Sequence, residues 1–376
     1  MLRLVYRQLR LDPLRTVLTA TALAAVVAVI LVLEGFYGGL LVQLRNTVLD
    51  RNADLIVTQA GVANMTATRS ILPQFTRRDV EAVDGVAVAH PLTGISVIYE
   101  QDNKRTALFL LVYDSGGGPN RLVEGSKKFG SRDIVVDRSL AGKYDLRVGD
   151  PFIISDFEFR IAGFSLGSAA FFTPFGFASY DDLIDFYFES DIAADISTFP
   201  LLSFLLVELS PGANRDAVRA AIEASVPDGD VFTPEQLAAE DESLGRVLFG
   251  PIMRLLVGVG YIIGAIVTGI IMFAAVNARR HDFGVLKALG FSEVFLSLSV
   301  VVEALALAVF AIPLGVVLAG LIGNLVEITA PLYLVLATEP LPILRTAAAC
   351  LLFAAMGALL PIRLIRGVDP SLAFRS

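Results

Sequence analysis

The chain has no tryptophan, one cysteine and two histidines among its 376 residues. Without Trp, any aromatic belt at a membrane–water boundary must come from Tyr and Phe. The single Cys350 excludes a disulfide framework. It lies in an apolar run and reads as core, so an extracytoplasmic domain must be stable on core burial alone. His90 and His281 stand far apart, one on each side of the membrane in the topology below, which gives little support to a histidine-based metal centre or triad. No Gly-x-x-x-x-Gly-Lys-Ser/Thr loop is present to cradle nucleotide phosphates. The run Gly116-Gly117-Gly118 lacks the following Lys and helix and reads as a turn. The residue pattern therefore assigns no catalytic, cofactor-binding or metal-binding side chain.

What is present is apolar surface. The chain is 55% hydrophobic and 18% charged. It is too apolar for a soluble protein of this length and too charged for a bare membrane bundle, so a few spans and one soluble domain are expected. The net charge of −8 is unevenly placed: residues 46–249 carry 17 Lys and Arg against 30 Asp and Glu, and the remainder is net positive. An acidic soluble part beside a basic membrane part argues against a nucleic-acid partner.

Four charge-free runs mark the spans: Thr16–Leu33, Leu255–Val276, Ala304–Gly323 and Thr346–Ile362. Each is near the roughly 17–25 residues needed to cross the hydrocarbon core. In the shortest, Arg345 and Arg363 at the ends can snorkel outward. Arg3, Arg7, Arg10 and Arg15 precede the first span; Arg279, Arg280 and Lys287 lie between the second and third; Arg363, Arg366 and Arg375 follow the fourth. The loop 324–342 between spans three and four has no Lys or Arg. The positive-inside rule then puts both termini and the 277–293 loop in the cytoplasm, with 46–249 and 324–342 outside. The first apolar run is too long for a cleaved signal peptide, and no convincing small-residue cleavage site follows it before Glu34, so it is read as an uncleaved span.

Between spans two and three, the sequence from Asn277 to Ser292 is patterned as a short amphipathic helix. Phe283, Leu286 and Leu289 recur at helical spacing and form one apolar face. Gly290 suits the left-handed position that closes a helix. An ordinary basic, surface-lying helix explains the same pattern. The order Arg279-Arg280-His281-Asp282-Phe283-Gly284-Val285-Leu286-Lys287-Ala288-Leu289-Gly290 also resembles the coupling loop of FtsX/MacB-like (type VII) ABC transporter permeases. It departs mainly at Asp282 and Phe283, where Glu and Ile are commoner. The start, Leu2 to Arg15 with Pro13, and the tail, Asp369-Pro370-Ser371-Leu372-Ala373-Phe374-Arg375, resemble the opening and closing motifs of the same family.

The resemblance covers the whole chain and implies a layout. An amphipathic cytoplasmic helix (1–15) leads to span one with a stalk (16–45) and an α+β periplasmic core domain (46–249). Span two (250–276), a cytoplasmic coupling helix (277–293), span three (294–323), a periplasmic loop (324–342), span four (343–363) and a cytoplasmic tail (364–376) follow. It implies a non-catalytic, multi-pass subunit of a bacterial inner membrane. The expected partners are two ABC ATPase subunits, which bind the ATP and Mg, a second copy of this permease, and membrane lipid. Four spans are too few to enclose a substrate pore, so the implied mechanism is mechanotransmission: ATP-driven closure below drives rearrangement outside and export or extraction of a substrate. The alternative is an FtsX-like regulatory protein that activates an extracellular hydrolase and transports nothing. In either case Arg279, Arg280, Asp282, Phe283, Leu286, Lys287, Leu289 and Gly290 are the expected ATPase-coupling residues, with the apolar face seated in a groove of the ATPase.

Within 46–249, strands are expected at Asp54–Thr58, Val86–Ile98, Asp133–Val136, Pro151–Ser155, Phe157–Ile161 and Ser203–Leu209. Helices are expected at Thr76–Val83 with Thr76 as N-cap, Ser139–Tyr144 and Asn214–Ala224. The stretch Phe164–Phe177 is rich in Phe. It reads as core strand plus turn, or as an exposed patch in which Phe171, Phe172, Phe175 and Phe177 meet a partner or lipid. Together with the chain's size it resembles the DevC-like subgroup, which works with a periplasmic membrane fusion protein. In span two, Gly260 and Gly264 form a small-xxx-small face expected to pack helices or a second subunit. Glu303 is an isolated charge in span three and is expected to pair with Arg280 or Lys287.

Overall fold

The computed structural model describes residues 13–126, 130–192, 195–197, 199–278 and 280–366. Most of the expected N-terminal amphipathic helix, Arg279 and residues 367–376 of the tail lie outside the described residues. The chain divides into two compact units. One comprises the described residues up to Gly38, Gly250–Ile328 and those from Val335 onward; the other comprises Gly39–Phe249 and Thr329–Leu334.

The first unit is helical. Its elements belong to α1 (Pro13–Leu49), α6 (Pro234–Asn277), the short α7 (Arg280–Ala288), α8 (Glu293–Thr329) and α9 (Pro340–Arg366). The four long helices are long and apolar enough to cross a membrane. Helix α6 has 44 residues, about 66 Å at 1.5 Å per residue. That is twice the ~30 Å hydrocarbon core, so the helix begins well before the expected start of span two at 250 and its charge-free run at Leu255.

The core of this unit follows from small residues at helical spacing. On α8, Leu296, Val300, Ala304, Leu307, Ala308, Ala311, Gly315, Ala319 and Gly323 are buried. Most of them share one core cluster with Leu23, Ala24, Val27, Ala28 and Leu31 of α1, and a Cβ on Gly315 would meet Val27. Inside a bilayer there is no hydrophobic drive between helices, so close van der Waals packing of small side chains must supply the association.

The connection from α8 to α9 has no regular structure over 330–339. Non-helical backbone near a membrane needs partners for its polar groups. In the membrane unit the Leu336 N–H donates to the Gly35 carbonyl at 3.0 Å. In the second unit the Gln43 amide donates to the Leu332 carbonyl at 3.0 Å.

The second unit carries eleven strands among the described residues, in the order β11-β1-β10-β2-β3-β9-β5-β7-β4. These are β1 (Leu55–Gln59), β2 (Val86–Gln101), β3 (Lys104–Tyr113), β4 (Leu122–Gly125), β5 (Asp133–Asp137), β6 (Pro151–Ile154), β7 (Phe157–Ser165), β8 (Ala169–Ala170), β9 (Thr173–Ser179), β10 (Phe204–Leu209) and β11 (Gly229–Phe232). Strand β6 pairs with both β7 and the far end of the 16-residue β2, while β8 pairs with β9. The pairings β2-β3-β9-β5-β7-β6-β2 thus close a ring, so no strand within it is an edge, while β11 and β4 end the strand order. Its interior holds Tyr99 stacked on Phe152 at 4.0 Å, with Phe157, Phe159 and Phe186 beside them.

Four short helices flank the sheet: α2 (Thr76–Glu81), α3 (Arg138–Tyr144), α4 (Leu183–Glu189) and α5 (Arg215–Ser225). Asn214 caps α5 by accepting from the Asp216 and Ala217 N–H groups, and Val218 and Ile222 are buried. Helix α2 departs from expectation: Phe75, not Thr76, is the N-cap and no side chain caps it, because Thr76 is itself buried in the first turn. Strand β3 escaped the sequence reading; it begins with the charged pair Lys104 and Arg105 and then becomes continuously apolar, so it lacks clean alternation.

Candidate coupling site

The segment joining α6 to α8 is built as its residue types require. The chain leaves α7 through a Schellman closure: the Gly290 N–H donates to the Lys287 carbonyl at 3.1 Å and the Phe291 N–H to the Leu286 carbonyl at 3.2 Å. Gly290 has φ +90°, which an L side chain rarely adopts. Ser292 then caps α8, accepting from the Phe295 N–H at 3.3 Å through its hydroxyl. Lys287 Nζ sits 2.9 Å from Glu293 Oε1 across this turn.

The apolar face divides. Phe283 is 2% exposed and belongs to the core cluster of the spans, with Leu286 partly buried against it. Leu289 is 71% exposed. Phe283 is therefore an anchor that seats α7 on its own chain, and its ring is not offered to a groove in a partner. What faces outward is Leu289, Phe291 and Val294, which are exposed, with Glu293 exposed among them and His281 and Asp282 exposed at the start of α7. The tight turn after α7 carries Phe291 and Val294 outside its helical period, so the repeat of Phe283, Leu286 and Leu289 does not reveal them. Arg279 and the Arg280 side chain lie outside the described residues.

Gly260 and Gly264 are helix-packing positions within one subunit. A Cβ on Gly260 would lie 3.1 Å from Leu33 Cδ1, and one on Gly264 2.9 Å from Val26 Cγ1. The face expected to serve a dimer is occupied by α1. The exposed face of α6 is instead the ridge of Ile252, Leu255, Val259, Ile262, Ile266 and Ile270.

A polar cluster joins three spans. Arg345 Nη2 donates to Glu34 Oε2 at 2.8 Å, and the Tyr261 hydroxyl donates to Glu34 Oε1 at 2.7 Å. The Glu34 side chain is 8% exposed. Arg345 pairs across the helices, not merely outward as expected, because a buried carboxylate needs a compensating cation. Glu303 is half-buried in α8.

In the second unit the Phe-rich stretch also divides. Phe175 and Phe177 are 1% and 0% exposed on β9 and form core, not the expected partner contacts. Phe171 and Phe172 form the turn between β8 and β9 and are half-buried. Nearby, the Arg51 guanidinium donates to the Gly117 and Gly118 carbonyls, and burial pushes its pKa down to about 10. Ser115 Oγ lies 2.9 Å from His90 Nδ1, and His90 Nε2 lies 3.2 Å from Glu208 Oε1, which ties the 114–118 loop to β2 and β10. Among the described residues no group of three or more His, Cys, Asp and Glu side chains converges as a metal set.

Two family models match the chain: a MacB-like periplasmic core domain over residues 16–225 and an FtsX-like permease C-terminal region over residues 254–370. The chain is 23% identical over 364 residues to an uncharacterized ABC transporter permease of Mycobacterium tuberculosis, covering 96% of this chain and 95% of that one. An uncharacterized ABC transporter permease of Mycobacterium bovis is 23% identical over 362 residues, with the same coverages. Among solved structures it is similar to the periplasmic region of MacB from Actinobacillus actinomycetemcomitans, at 12% identity and TM-score 0.36, covering 51% of this chain and 94% of that one. It is also similar to the extracellular domain of the noncanonic ABC-type transporter YknZ from Gram-positive bacteria, at 12% identity and TM-score 0.36, covering 48% and 100%. The first family model alone spans more than half of the sequence, and the two lie in the order that four spans with an inserted α+β domain require: the chain belongs to the FtsX/MacB family of ABC transporter permeases.

Proposed function

We propose that this permease couples ATP hydrolysis by a separate ABC ATPase to rearrangement of its extracytoplasmic domain, and that its docking surface is the exposed turn of Leu289, Phe291 and Val294. The observation that carries the reading is this apolar patch on a rigidly closed turn. Phe283 roots it in the spans, and it lies on the side that the basic residues assign to the cytoplasm. An exposed apolar patch with a polar surround marks a protein or membrane contact. Anchoring by Phe283 lets force on the turn reach α6 and α8 without melting α7.

In this reading the subunit is non-catalytic and sits in an inner membrane with both termini cytoplasmic. It works as a pair of copies over two ATPases, the exposed ridge of α6 meeting lipid or the second copy. Substrate is exported or extracted outside the membrane, with or without a membrane fusion protein, and is not led through one subunit. The test is co-purification from membranes. Leu289→Asp or Val294→Asp is expected to lose the ATPase while the permease stays folded. Retained ATPase in both variants would defeat the assignment of this surface.

A further inference from the structure

The turn between β8 and β9 uses the wrong residues for its shape. Ala170 pairs with Thr173, so Phe171 and Phe172 are the two central residues of a two-residue hairpin loop. Both have positive φ, +49° and +61°. That is the geometry of a type I′ turn, which strongly prefers Asn-Gly and disfavours bulky side chains at both positions. Local propensity therefore opposes the turn, and something outside it must hold it.

The rings provide that hold. Phe171 lies 5.6 Å from the Phe249 ring, and Phe172 lies 5.8 Å from Phe249 and 5.7 Å from Tyr333. Both partners occupy particular places in the chain. Phe249 is the last residue of α6 within this unit, and Tyr333 belongs to the α8–α9 connection, in the segment Thr329–Leu334 that joins the unit. The connection is further fixed to α1 here by the Gln43–Leu332 hydrogen bond. One strained hairpin tip thus touches residues that continue, covalently, toward three of the spans.

We propose that the Phe171–Phe172 tip is the transmission contact of the extracytoplasmic domain, a hairpin held in an unfavoured conformation by an aromatic seat made of Phe249 and Tyr333. When the spans move the seat, the tip loses its support, and the β8–β9 hairpin shifts toward a conformation its sequence favours. Strand β9 carries the change inward, since it pairs with both β3 and β5. The proposal rests on the reading that an ATPase drives this permease.

The test uses the full-length permease with its co-purified ATPase in nanodiscs. Hydrogen exchange is followed by mass spectrometry with and without ATP, Mg and vanadate. The double variant Phe171→Asn/Phe172→Gly supplies the preferred turn residues and removes both rings. It is expected to melt no lower than wild type, to retain the ATPase and to trap nucleotide, yet to lose the vanadate-induced change in exchange over residues 169–179. Tyr333→Ala is expected to weaken that change in the wild-type background and to do nothing further in the double variant. A double variant that responds like wild type overturns the transmission role alone. One that melts well below wild type overturns it too, since the rings would then be ordinary packing. A wild-type complex that hydrolyses ATP but shows no change in the domain overturns both this contact and the coupling reading.

Discussion

Helix α1 contains an internal control for close backbone packing, because Gly38 and Gly39 are neighbours with opposite surroundings. A Cβ placed on Gly38 meets nothing within 4 Å. One placed on Gly39 would overlap the Leu334 carbonyl oxygen and lie 2.6 Å from its carbon. In a helix interior, Gly→Ala by itself gains about 1 kcal/mol from reduced backbone freedom. Gly38→Ala should therefore be neutral or stabilising by up to about 1 kcal/mol. For Gly39→Ala the same gain is opposed by a clash with backbone, which cannot rotate away as a side chain can. Overpacking costs typically about 1–3 kcal/mol and more where nothing yields, so a net loss of about 1–2 kcal/mol or greater is expected. Gly35→Ala belongs with Gly39→Ala, since its Cβ would lie 2.6 Å from the Ala337 nitrogen. The assay is thermal unfolding of the purified permease in detergent, followed by loss of the monodisperse size-exclusion peak. A cysteine near Tyr333 would report release of the 330–339 connection as faster maleimide labelling. If Gly39→Ala and Gly38→Ala melt together and label alike, the seating of that connection on α1 is wrong.

Other substitutions separate anchoring from docking. Phe283→Ala, which empties a buried aromatic site, should cost about 3–5 kcal/mol and lower the melting temperature, whereas Leu289→Ala should leave it unchanged and weaken ATPase retention; the reverse pattern would reject the division of the apolar face. Gly264→Leu should disturb packing of α6 on α1 within one subunit and reduce thermal stability whatever the oligomeric state, so an unaltered melting curve would contradict the Gly264–Val26 contact. Arg345→Met leaves the Glu34 carboxylate buried without its cation, and the loss should be largely recovered in Arg345→Met/Glu34→Gln; additive losses in this cycle would show that the pair does not act as one. Burial holds the Asp137 carboxyl above its ordinary value of 3.8, so its folded form keeps a proton the unfolded chain releases. Its contribution is greatest at low pH and is lost as pH rises through the carboxylate range to the folded value. The stability of wild type relative to Asp137→Asn should therefore fall as pH rises from about 4, and a constant or rising difference would refute the assignment.

The chain's own pattern determined the gross organisation. Four charge-free runs about as long as the hydrocarbon core is thick admit few structures. The helix α7 and its closing turn were legible because Gly290 and the 3–4 spacing of Phe283, Leu286 and Leu289 are local signals. Helix α5 was legible because an Asn cap and an amphipathic repeat lie within one segment. Periodicity reports that a face is apolar and not what covers it. Only the tertiary structure showed that Phe283 turns inward while Leu289 turns outward, and that Gly260 and Gly264 are filled by Leu33 and Val26 of the same chain. The Phe171–Phe172 turn was hidden for a related reason. Its conformation is fixed by partners distant in sequence, the rings of Phe249 and Tyr333. Contacts of that kind leave no period in the segment that makes them, and at Phe171–Phe172 they override the local preference outright.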